Sequence, residues 1–519
     1  MLRLHKLSRH SHTLAASLPL IHRSLTTPPP RSSAADSTFL AGDGVSWTSL
    51  GVSETLANSL SRAGLHRPSL TQAACVPSIV AGSDTVVAAE TGGGKTHGYL
   101  VPIIDRLYGE RRNVVCGGKG GGFDRICVVL CPSVVMCDQV VRMANGLCDD
   151  KGDPLVFSDV LRGTRGWPVK KPDVVVATPY KLLSYLYAVH RERNRPFRFL
   201  RSVKYVVFDE ADLLLSGRFL THVIRLIHML QFDEKRSSQT LRLVDKGRSK
   251  ANSNPMLCID SGDEKGELKR SFFEEEGNFC DVTEAKHLLI EPEPCSDKRK
   301  DREQPKNSYM RNKQYIFAGA TLPLNRKNAV CGILELYFGH AKWVSGSYLH
   351  RHNPRLQKRW VQITGDTQIN ALINALCNIS SGEGENRTLV FANTVEAVES
   401  VTQKLLTAGI ECSCYHTKCT LEESIKRLAE FHERSGVLVC TDDVVRGLDI
   451  PKVSHVIQAE LATSAVDYLH RLGRTARAGQ PGLVTSLYTE SNHRLVAAVR
   501  EAEKTGDPVW AAFSNYPEK

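Results

Sequence analysis

The sequence predicts an α/β fold made of two tandem parallel-sheet domains. Short apolar runs rich in β-branched residues alternate with longer amphipathic stretches, which is the pattern of parallel strands covered by helices on both faces. These runs fall into two series along the chain. The first series comprises residues 85–88, 126–131, 174–177, 205–208 and 315–318. The second series comprises residues 360–363, 389–392, 411–415, 437–440, 455–459 and 483–488.

Each series of runs predicts one domain. We expect the first domain over residues 36–345 and the second over residues 356–519. The intervening residues 346–355 show little periodicity and contain Asn353 and Pro354. Such a composition predicts a short linker.

The composition indicates a large chain with packed interiors rather than a small disulfide-stapled module. Its 519 residues are 41% apolar and 24% charged, which is enough material for two or three hydrophobic cores. No run of about 18 apolar residues occurs, so no membrane-spanning helix is expected. The 67 Lys and Arg residues exceed the 56 Asp and Glu residues, and the net charge is +11. This surplus favours a polyanionic partner without identifying one, because net charge also serves solubility.

The 15 cysteines predict reduced thiols rather than a disulfide framework. They are odd in number and form no C-x-x-C pair, which is typical of small core residues in a reducing compartment. The densest group is Cys412, Cys414, His416 and Cys419. A metal site is one interpretation of this group, but its spacing differs from the usual zinc pattern. Alternation along a buried strand explains it better.

Residues 1–35 have the composition of an organelle transit peptide. They contain abundant Ser, Thr and Pro and no Asp or Glu. Their basic residues are Arg3, Lys6, Arg9, Arg23 and Arg31. A disordered basic tail is the alternative, and a secretory signal is disfavoured because Pro19 interrupts the apolar run. Leucines beside the first basic residues suit a mitochondrial address, whereas the Ser/Thr/Pro run suits a plastid. We therefore expect an organellar protein, with chloroplast slightly favoured over mitochondrion.

Residues 233–306 interrupt the strand–helix rhythm of the first domain. They contain 17 acidic and 15 basic residues, some in blocks such as Glu274–Glu276 and Asp297–Asp301. This charge density predicts a mostly disordered insertion. It is either a partner-docking or regulatory segment or a tolerated surface loop. The glycine-rich run Gly117–Gly122 resembles a phosphate loop, but no Gly-Lys-Ser/Thr follows it, so we predict a flexible loop there.

A candidate phosphate-binding loop follows the first predicted strand. It reads Ala89-Glu90-Thr91-Gly92-Gly93-Gly94-Lys95-Thr96 and precedes a plausible helix, which is the context that such a loop requires. The glycines let backbone N–H groups turn toward phosphate oxygens, and the helix N-terminus adds partial positive charge. We expect Lys95 to reach the β and γ phosphates and Thr96 to offer its hydroxyl to Mg²⁺.

An acidic strand end is the second candidate element. The run 205–212 reads Tyr-Val-Val-Phe-Asp-Glu-Ala-Asp, so its carboxylates lie at the sheet edge where α/β proteins bind ligands. Asp209 is expected to hold the metal, and Glu210 to polarise the attacking water in phosphoryl transfer. A helix cap is the usual explanation of an acidic strand end. The nearby phosphate loop favours the catalytic interpretation.

The third candidate element is the run 470–479, which reads His-Arg-Leu-Gly-Arg-Thr-Ala-Arg-Ala-Gly. Arg474 and Arg477 share one face if this run is helical. Two guanidinium groups suit a triphosphate, although a basic helix face is the alternative. Because the arginines and the phosphate loop belong to different domains, a shared ATP would clamp the domains together. ATP then acts as a domain-closure switch.

These elements, in this order and with the string Asp209-Glu210-Ala211-Asp212, resemble the DEAD-box ATP-dependent RNA helicase family of plant organellar type. The resemblance covers roughly residues 45–490. It implies two RecA-like domains, of which the second is the helicase C-terminal domain. It also implies ATP and Mg²⁺ as cofactors and RNA as the partner.

The resemblance implies further roles for individual residues. Gln72 lies in a segment similar to the adenine-reading Q motif, and Asp449 matches a nucleotide contact. RNA contacts are implied at Pro132, Thr178, Pro179, Phe391, Thr441 and Gly447. Coupling of ATP to RNA is implied for Asp212, Gly319, Ala320, Thr321 and His470. Together with the phosphate loop and the arginines, these residues form the expected site.

The sequence departs from the family pattern at five positions. Val134 replaces an expected cation, and Gly319 replaces a serine whose hydroxyl commonly bonds the acidic motif. Leu421 and Ser424 replace a Gln and an Arg, and Leu65 stands where an aromatic ring often stacks on adenine. The departures concern RNA contacts and coupling rather than hydrolysis. We therefore predict retained ATP hydrolysis with modest unwinding.

The leading functional expectation is an organellar RNA-dependent ATPase. It would separate short RNA duplexes or remodel RNA–protein complexes in RNA processing or ribosome assembly. We expect a monomer without membrane association, with ribosomal or RNA-processing proteins as candidate partners. The alternative is an ATP-gated RNA clamp or assembly scaffold with little turnover, which Val134, Gly319 and the long insertion motivate. A DNA helicase is a third and weaker alternative.

Overall fold

The computed structural model contains two parallel β-sheets, one in each half of the chain. This finding confirms the predicted α/β class with tandem parallel-sheet domains. The structure describes residues 39–115, 125–163, 171–193, 196–250, 312–322, 329–346, 355–377, 387–448, 450, 452–477 and 480–514. The predictions made for residues 1–35, Gly117–Gly122, 251–306, 347–354 and Asp449 lie outside those ranges.

Seven strands form the sheet of the first domain. They are β1 (Thr85–Ala88), β2 (Ile126–Leu130), β3 (Ser158–Val160), β4 (Val174–Ala177), β5 (Val203–Asp209), β6 (Gln314–Gly319) and β7 (Lys342–Ser345). Their order is β3-β4-β2-β5-β6-β1-β7. Five strands coincide with predicted runs, whereas β3 and β7 had no predicted counterpart. These two lie at the sheet edges, where a strand needs no continuous apolar run.

Helices cover both faces of this sheet. They are α1 (Glu54–Arg62), α2 (Leu70–Val80), α3 (Lys95–Val115), α4 (Val134–Asn145), α5 (Pro179–Arg193), α6 (Pro196–Ser202), α7 (Ala211–Leu214), α8 (Leu220–Lys250) and α9 (Ala329–Phe338). Serine side chains cap several N-termini, among them Ser53 before α1 and Ser133 before α4. Such caps satisfy N–H groups that have no partner inside the helix.

The second domain contains six parallel strands. They are β8 (Leu356–Gln362), β9 (Arg387–Phe391), β10 (Cys412–Tyr415), β11 (Gly436–Cys440), β12 (Val453–Gln458) and β13 (Gly482–Tyr488). Their order is β10-β11-β9-β12-β13-β8, and each overlaps a predicted run. The helices are α10 (Gln368–Cys377), α11 (Val395–Thr407), α12 (Leu421–Arg434), α13 (Asp442–Val445), α14 (Ala465–Leu472), α15 (His493–Thr505) and α16 (Trp510–Ser514).

The sequence predicted that the charged insertion begins at residue 233, but the structure places an ordered helix there. Helix α8 continues without a break to Lys250, and Asp233 and Glu234 are fully buried. Asp233 accepts a hydrogen bond from Lys313 Nζ at 2.8 Å, and both side chains are at most 1% exposed. Glu234 accepts hydrogen bonds from the Lys313 backbone N–H and the Tyr315 hydroxyl. Charge density was misleading here because these charges are paired inside the domain.

Loss of the buried ion pair is expected to destabilise the first domain. The variant Lys313→Met leaves buried Asp233 with only the more distant Arg201, whose Nε lies 3.9 Å from Oδ1, which should lower the free energy of unfolding by about 3–5 kcal/mol. Urea unfolding followed by circular dichroism measures this loss. The exposed Lys181→Met is the matched control and should unfold like wild type. An unchanged midpoint for Lys313→Met contradicts the expectation.

The carboxyl ends of the strands form one edge on each sheet. The ends of β1, β5 and β6 carry the phosphate loop, the acidic run and the segment 319–321. The ends of β9, β11 and β12 carry the corresponding segments of the second domain. No helix among the described residues is both long and apolar enough to cross a membrane.

Candidate functional site

The phosphate loop joins β1 to α3. Lys95 is the first residue of α3 and is only 7% exposed. Its Nζ donates hydrogen bonds to the backbone carbonyls of Ala89 at 2.9 Å and Glu90 at 3.1 Å. The ammonium group is therefore held inside the loop, where phosphate oxygens could replace these carbonyls as acceptors.

Two glycines of the loop have backbone conformations that other residues rarely adopt. Gly92 has a φ of +85° and Gly94 a φ of +83°. A Cβ on Gly94 would lie 2.5 Å from Gln72 Nε2, and a Cβ on Gly92 would lie 3.0 Å from Arg477 Cγ. Both positions need glycine, because the left-handed backbone and the close neighbours leave no room for a side chain.

Gln72 connects helix α2 to the phosphate loop. Its Oε1 accepts a hydrogen bond from the backbone N–H of Ser69, the N-cap residue, and its Nε2 donates to the Gly94 carbonyl at 3.1 Å. Ser69 Oγ donates to the Gly93 carbonyl at 2.8 Å. Gln72 thus fixes the phosphate loop to the N-terminus of α2. Its contact with adenine stays a prediction.

Substitution of Gly94 is expected to weaken nucleotide binding. Gly94→Ala combines a strained φ with displacement of the Gln72 amide, at a cost of about 1–3 kcal/mol, so ATP affinity should fall about tenfold or more. Binding of a fluorescent ATP analogue measures the change. Gly109→Ala is the control, because a Cβ on Gly109 meets nothing within 4 Å. Equal affinities of the two variants contradict the expectation.

The acidic run at the end of β5 is buried. Asp209 is 4% exposed and accepts a hydrogen bond from the Tyr99 hydroxyl of α3 at 2.9 Å. Burial and the neighbouring Glu210 carboxylate raise the pKa of Asp209 to about 7, although Tyr99 and Lys95 oppose this shift. Tyr99 had no predicted role. An aromatic hydroxyl one helical turn after Lys95 was its only sequence signal.

Glu210 has an unusual backbone and an unsatisfied carboxylate oxygen. Its φ is +53°, a left-handed conformation that is costly for a non-glycine residue and is often found at functional sites. The side chain is 6% exposed, and Oε2 has no hydrogen-bond partner among the described residues. A buried free oxygen of this kind is suited to a water or ion in the cleft.

The donor set at this edge fits the expected Mg²⁺ ion. Two adjacent buried carboxylates are unfavourable without a cation, and Mg²⁺ prefers oxygen ligands such as that of Asp209. Thr96, the second residue of α3, is half-buried. Asp209 and Thr96 thus remain the predicted metal residues. Ligand atoms of Glu210, Asp212 and His470 also lie within 4.8 Å of one another.

Asp212 joins the predicted coupling residues across the two domains. Its Oδ2 accepts hydrogen bonds from the backbone N–H groups of Ala320 at 3.2 Å and Thr321 at 2.7 Å and from the Thr321 hydroxyl. His470 Nε2 of the second domain lies 3.6 Å from the same oxygen. Burial opposes ionisation of Asp212, but His470 and Thr321 outweigh it and hold its pKa well below the usual range. The carboxylate is therefore charged throughout the working pH range.

Gly319 lies beside this group at the end of β6. A Cβ there would lie 3.1 Å from Asp212 Oδ1 and 2.8 Å from Leu322 Cγ. The Leu322 side chain thus occupies the space that a serine side chain would need. The hydroxyl that the family usually places here is missing, yet Asp212 still receives three donors from Ala320 and Thr321.

Arg474 and Arg477 were expected to share one face only if their run is helical, and the structure does not meet this condition. Helix α14 ends at Leu472, and Ala476 has a φ of +53°. Arg477 lies against the phosphate loop, since its Cγ meets the Cβ position of Gly92. Arg474 is 2% exposed and donates from Nη1 to the carbonyls of Val445 and Leu448 at 3.0 and 2.8 Å.

Other contacts join the same surfaces of the two domains. A Cβ on Gly473 would lie 2.8 Å from Thr91 Cβ of the phosphate loop. Gly447 has a φ of +70° and lies against Met136 and Glu210 of the first domain, and its implied RNA contact stays a prediction. The domains thus contact each other in the described structure, and the phosphate loop, the acidic run and the aliphatic part of Arg477 lie along these contacts, a region that we call the cleft.

The remaining predicted RNA contacts differ in accessibility. Pro132 and Thr178 are half-buried, whereas Pro179 is buried at the start of α5. Thr441 is 7% exposed, and its hydroxyl has no partner among the described residues. Phe391 is 2% exposed beneath the Arg471 guanidinium, at 5.3 Å from ring centroid to Cζ. The Phe391 ring therefore supports Arg471 from within the domain, and the RNA contact implied for this residue stays a prediction.

Arg471 connects several segments of the second domain, a role that was not predicted from the sequence. It is 1% exposed and forms a two-pronged ion pair with Asp442 at 2.8 and 2.6 Å. It also donates to Asn393 Oδ1 at 2.7 Å and the Glu460 carbonyl at 2.7 Å. Arg471 therefore links the ends of β9, β11 and β12. An arginine on the buried face of a short helix was the available signal.

Comparisons with known proteins identify close relatives. The "DEAD/DEAH box helicase" family model matches residues 69–243, and the "Helicase conserved C-terminal domain" model matches residues 368–479. DEAD-box ATP-dependent RNA helicase 22 of Oryza sativa subsp. japonica is 49% identical over 487 residues, covering 92% of this chain and 83% of that protein. Its Arabidopsis thaliana namesake is 49% identical over 486 residues, with the same coverage.

Solved structures show the same fold. The structure described as "S. cerevisiae Dbp5 bound to RNA and ADP BeF3" aligns with a TM-score of 0.59 at 18% identity, covering 88% of this chain and 93% of that chain. At this identity the likeness concerns the fold alone. It agrees with the predicted RecA-like character of the two domains.

Proposed function

This chain belongs to the DEAD-box ATP-dependent RNA helicase family, and we propose that it separates short RNA duplexes or remodels RNA–protein complexes inside an organelle. The observation that supports this proposal most directly is the closed cleft. Lys95, Asp209 and Glu210 come from the first domain and Arg477 from the second. A nucleotide bound there would hold the domains together and release them after hydrolysis.

The residues of the cleft divide the work of phosphoryl transfer. Mg²⁺, when bound with ATP, supplies positive charge that neutralises the phosphate oxygens. Asp209 and Thr96 would hold the ion, and Lys95 would exchange its carbonyl acceptors for phosphate oxygens. Glu210 accepts the proton of the attacking water while the water oxygen bonds to the γ-phosphorus and the bond to ADP breaks. Arg477 stabilises the developing charge from the opposite domain.

Coupling to RNA depends on the group around Asp212. Its carboxylate contacts the segment 319–321 of the first domain and His470 of the second, so separation of the domains breaks the His470 contact. The loss of the family serine at Gly319 is offset by the donors of Ala320 and Thr321. We therefore favour hydrolysis with turnover over the alternative of an ATP-gated clamp.

RNA-dependent ATP turnover is the test of this function. The ATPase rate of the full chain is measured with and without single-stranded RNA, and strand displacement is measured on matched RNA and DNA duplexes. We expect RNA to stimulate hydrolysis and only the RNA duplex to be separated, slowly. Equal rates with and without RNA contradict the proposal. ATP-dependent RNA retention without turnover favours the clamp.

ATP hydrolysis is expected to fall as the pH drops through about 7. The pKa of Asp209 is raised to about 7 by burial and by Glu210, and a proton on this carboxyl competes with Mg²⁺. A tenfold higher Mg²⁺ concentration should move the midpoint to lower pH, because the cation stabilises the ionised form. Tyr99→Phe should move it to higher pH by removing a hydrogen bond to the carboxylate. A midpoint that responds to neither change contradicts the expectation.

The organellar address is proposed from residues 1–35, whose basic, acid-free composition is typical of transit peptides. A fluorescent protein fused to these residues should enter an organelle, with chloroplast favoured over mitochondrion. Crosslinking of RNA to the tagged full chain would identify the bound transcripts and distinguish ribosome assembly from other RNA processing. Light scattering tests the expected monomer.

A further inference from the structure

Two cysteines of the second domain converge on one guanidinium. Cys414 lies in the edge strand β10, Cys419 lies in the turn before α12, and Arg427 extends from α12. Arg427 Nη1 donates to the Cys414 carbonyl at 2.8 Å and lies 3.2 Å from Cys414 Sγ and 3.0 Å from Cys419 Sγ. Because both sulfurs neighbour the same nitrogen, they are at most about 6 Å apart. A disulfide requires the two side chains to rotate until the sulfurs are about 2 Å apart.

The surroundings of the pair favour thiol chemistry. Both cysteines are partly exposed, and His416 Nδ1 lies 3.8 Å from Cys419 Sγ, where it can accept the thiol proton. The Arg427 guanidinium and the His416 imidazole thus both lie within 4 Å of Cys419 Sγ. Most other described cysteines lie in the apolar core, where burial keeps them as thiols. Burial raises the pKa of Cys75, for example, to about 12.

We propose that Cys414 and Cys419 form a reversible redox pair that exchanges with low-molecular-weight disulfides such as oxidised glutathione. The Cys419 thiolate attacks one glutathione sulfur, forms a mixed disulfide and releases one glutathione thiolate. Cys414 then loses its proton and attacks the Cys419 sulfur, which releases the second glutathione thiolate. Two protein thiols are oxidised and one glutathione disulfide is reduced, and the two thiol protons pass to the released thiolates.

The position of the pair connects it to the RNA-facing edge, an argument that depends on the proposed function. Thr441, a predicted RNA contact, donates its backbone N–H to the Tyr415 carbonyl at 3.3 Å, next to Cys414. A bond from Cys414 to Cys419 replaces the contacts of both sulfurs with Arg427 and ties the turn to the strand. We expect the oxidised form to bind RNA several-fold more weakly. Partly exposed disulfides are readily reduced, so the change is reversible.

Tryptic peptides provide a sharp test of the bond. Reduced full-length protein is incubated with oxidised glutathione, the remaining thiols are alkylated, and the protein is digested. Cleavage after Lys418 places Cys414 in the peptide 405–418, which also holds Cys412, and Cys419 in the peptide 419–426. We expect these peptides to be linked in wild type and in Cys412→Ser, and separate in Cys414→Ser and after treatment with dithiothreitol.

Three other outcomes contradict a disulfide between Cys414 and Cys419. Recovery of the peptide 419–426 only as an alkylated thiol, or only as a glutathione adduct, shows that Cys419 does not bond to Cys414. If the two peptides are no longer linked in Cys412→Ser, the disulfide joins Cys419 to Cys412 rather than to Cys414. The exposed Cys377 is the internal control and should carry glutathione without forming the 405–418 link.

RNA binding tests the consequence. Affinity for single-stranded RNA is measured with a non-hydrolysable ATP analogue, for reduced and fully linked wild type and for Cys419→Ser. Oxidation should weaken binding by wild type several-fold and leave Cys419→Ser unchanged. An unchanged affinity of the linked protein overturns the coupling to RNA. Failure of the reduced wild type to bind RNA contradicts the proposed function instead. The peptide experiment tests the disulfide independently, because it does not involve RNA.

Discussion

Replacement of Glu210 by glutamine is expected to lower the ATPase rate by roughly a hundredfold to ten-thousandfold, the range for loss of a general base. The amide has nearly the same shape as the carboxylate but cannot accept the proton of the attacking water. The free Oε2 in the closed cleft is the atom concerned. RNA should still be retained in the presence of ATP, because the contacts that close the domains remain.

The measurement is RNA-stimulated phosphate release, together with RNA binding in the presence of ATP. Glu433→Gln is the matched control, since Glu433 is exposed on α12 and distant in sequence from the acidic run. The control should hydrolyse ATP like wild type. Near-normal turnover by Glu210→Gln would mean that another group activates the water, and it would remove the proposed role of this carboxylate.

Replacement of Arg477 by alanine is expected to lower kcat by about a thousandfold or more, the magnitude typical of an arginine that stabilises a phosphoryl transition state. Arg477 is the residue of the second domain whose side chain lies against Gly92 of the phosphate loop. Its effect depends on domain closure, so kcat should change much more than ATP affinity. Single-turnover hydrolysis and analogue binding separate the two quantities.

Two further substitutions make the Arg477 result specific. Arg500→Ala removes an exposed arginine of α15 and should leave turnover unchanged. Arg474→Ala removes donors to the Val445 and Leu448 carbonyls, so it should also lower the unfolding midpoint of the second domain. An Arg477→Ala variant with wild-type kcat contradicts the closed-cleft mechanism.

Much of the fold could be predicted from sequence because buried parallel strands are apolar over their whole length. Every predicted run, from the one at β1 to the one at β13, overlaps a strand. The strands β3 and β7 had no such signal, since edge strands are covered less completely. The start of the insertion was misplaced because Asp233 and Glu234 look solvated in sequence, whereas their partners Lys313 and Tyr315 are about 80 residues away.

In the candidate site, too, local motifs were predicted from the sequence, whereas roles that depend on distant residues were not. The phosphate loop and the acidic run were found because each follows a strand and carries its chemistry in consecutive residues. Tyr99 and Arg471 were missed, since their roles depend on Asp209 and Asp442, which are distant in sequence. The shared face of Arg474 and Arg477 was predicted only for a helical run, and α14 ends before either residue.

The sequence by itself determined the two-sheet architecture and predicted the phosphate loop and the candidate reacting side chains, because these depend on periodicity and on short motifs. Only the tertiary structure decided which groups meet across the domains. His470 with Asp212 and Arg477 with Gly92 are brought together by domain closure. The physical reason is that burial and Coulomb interactions depend on distance in space, which the spacing of residues along the chain does not specify.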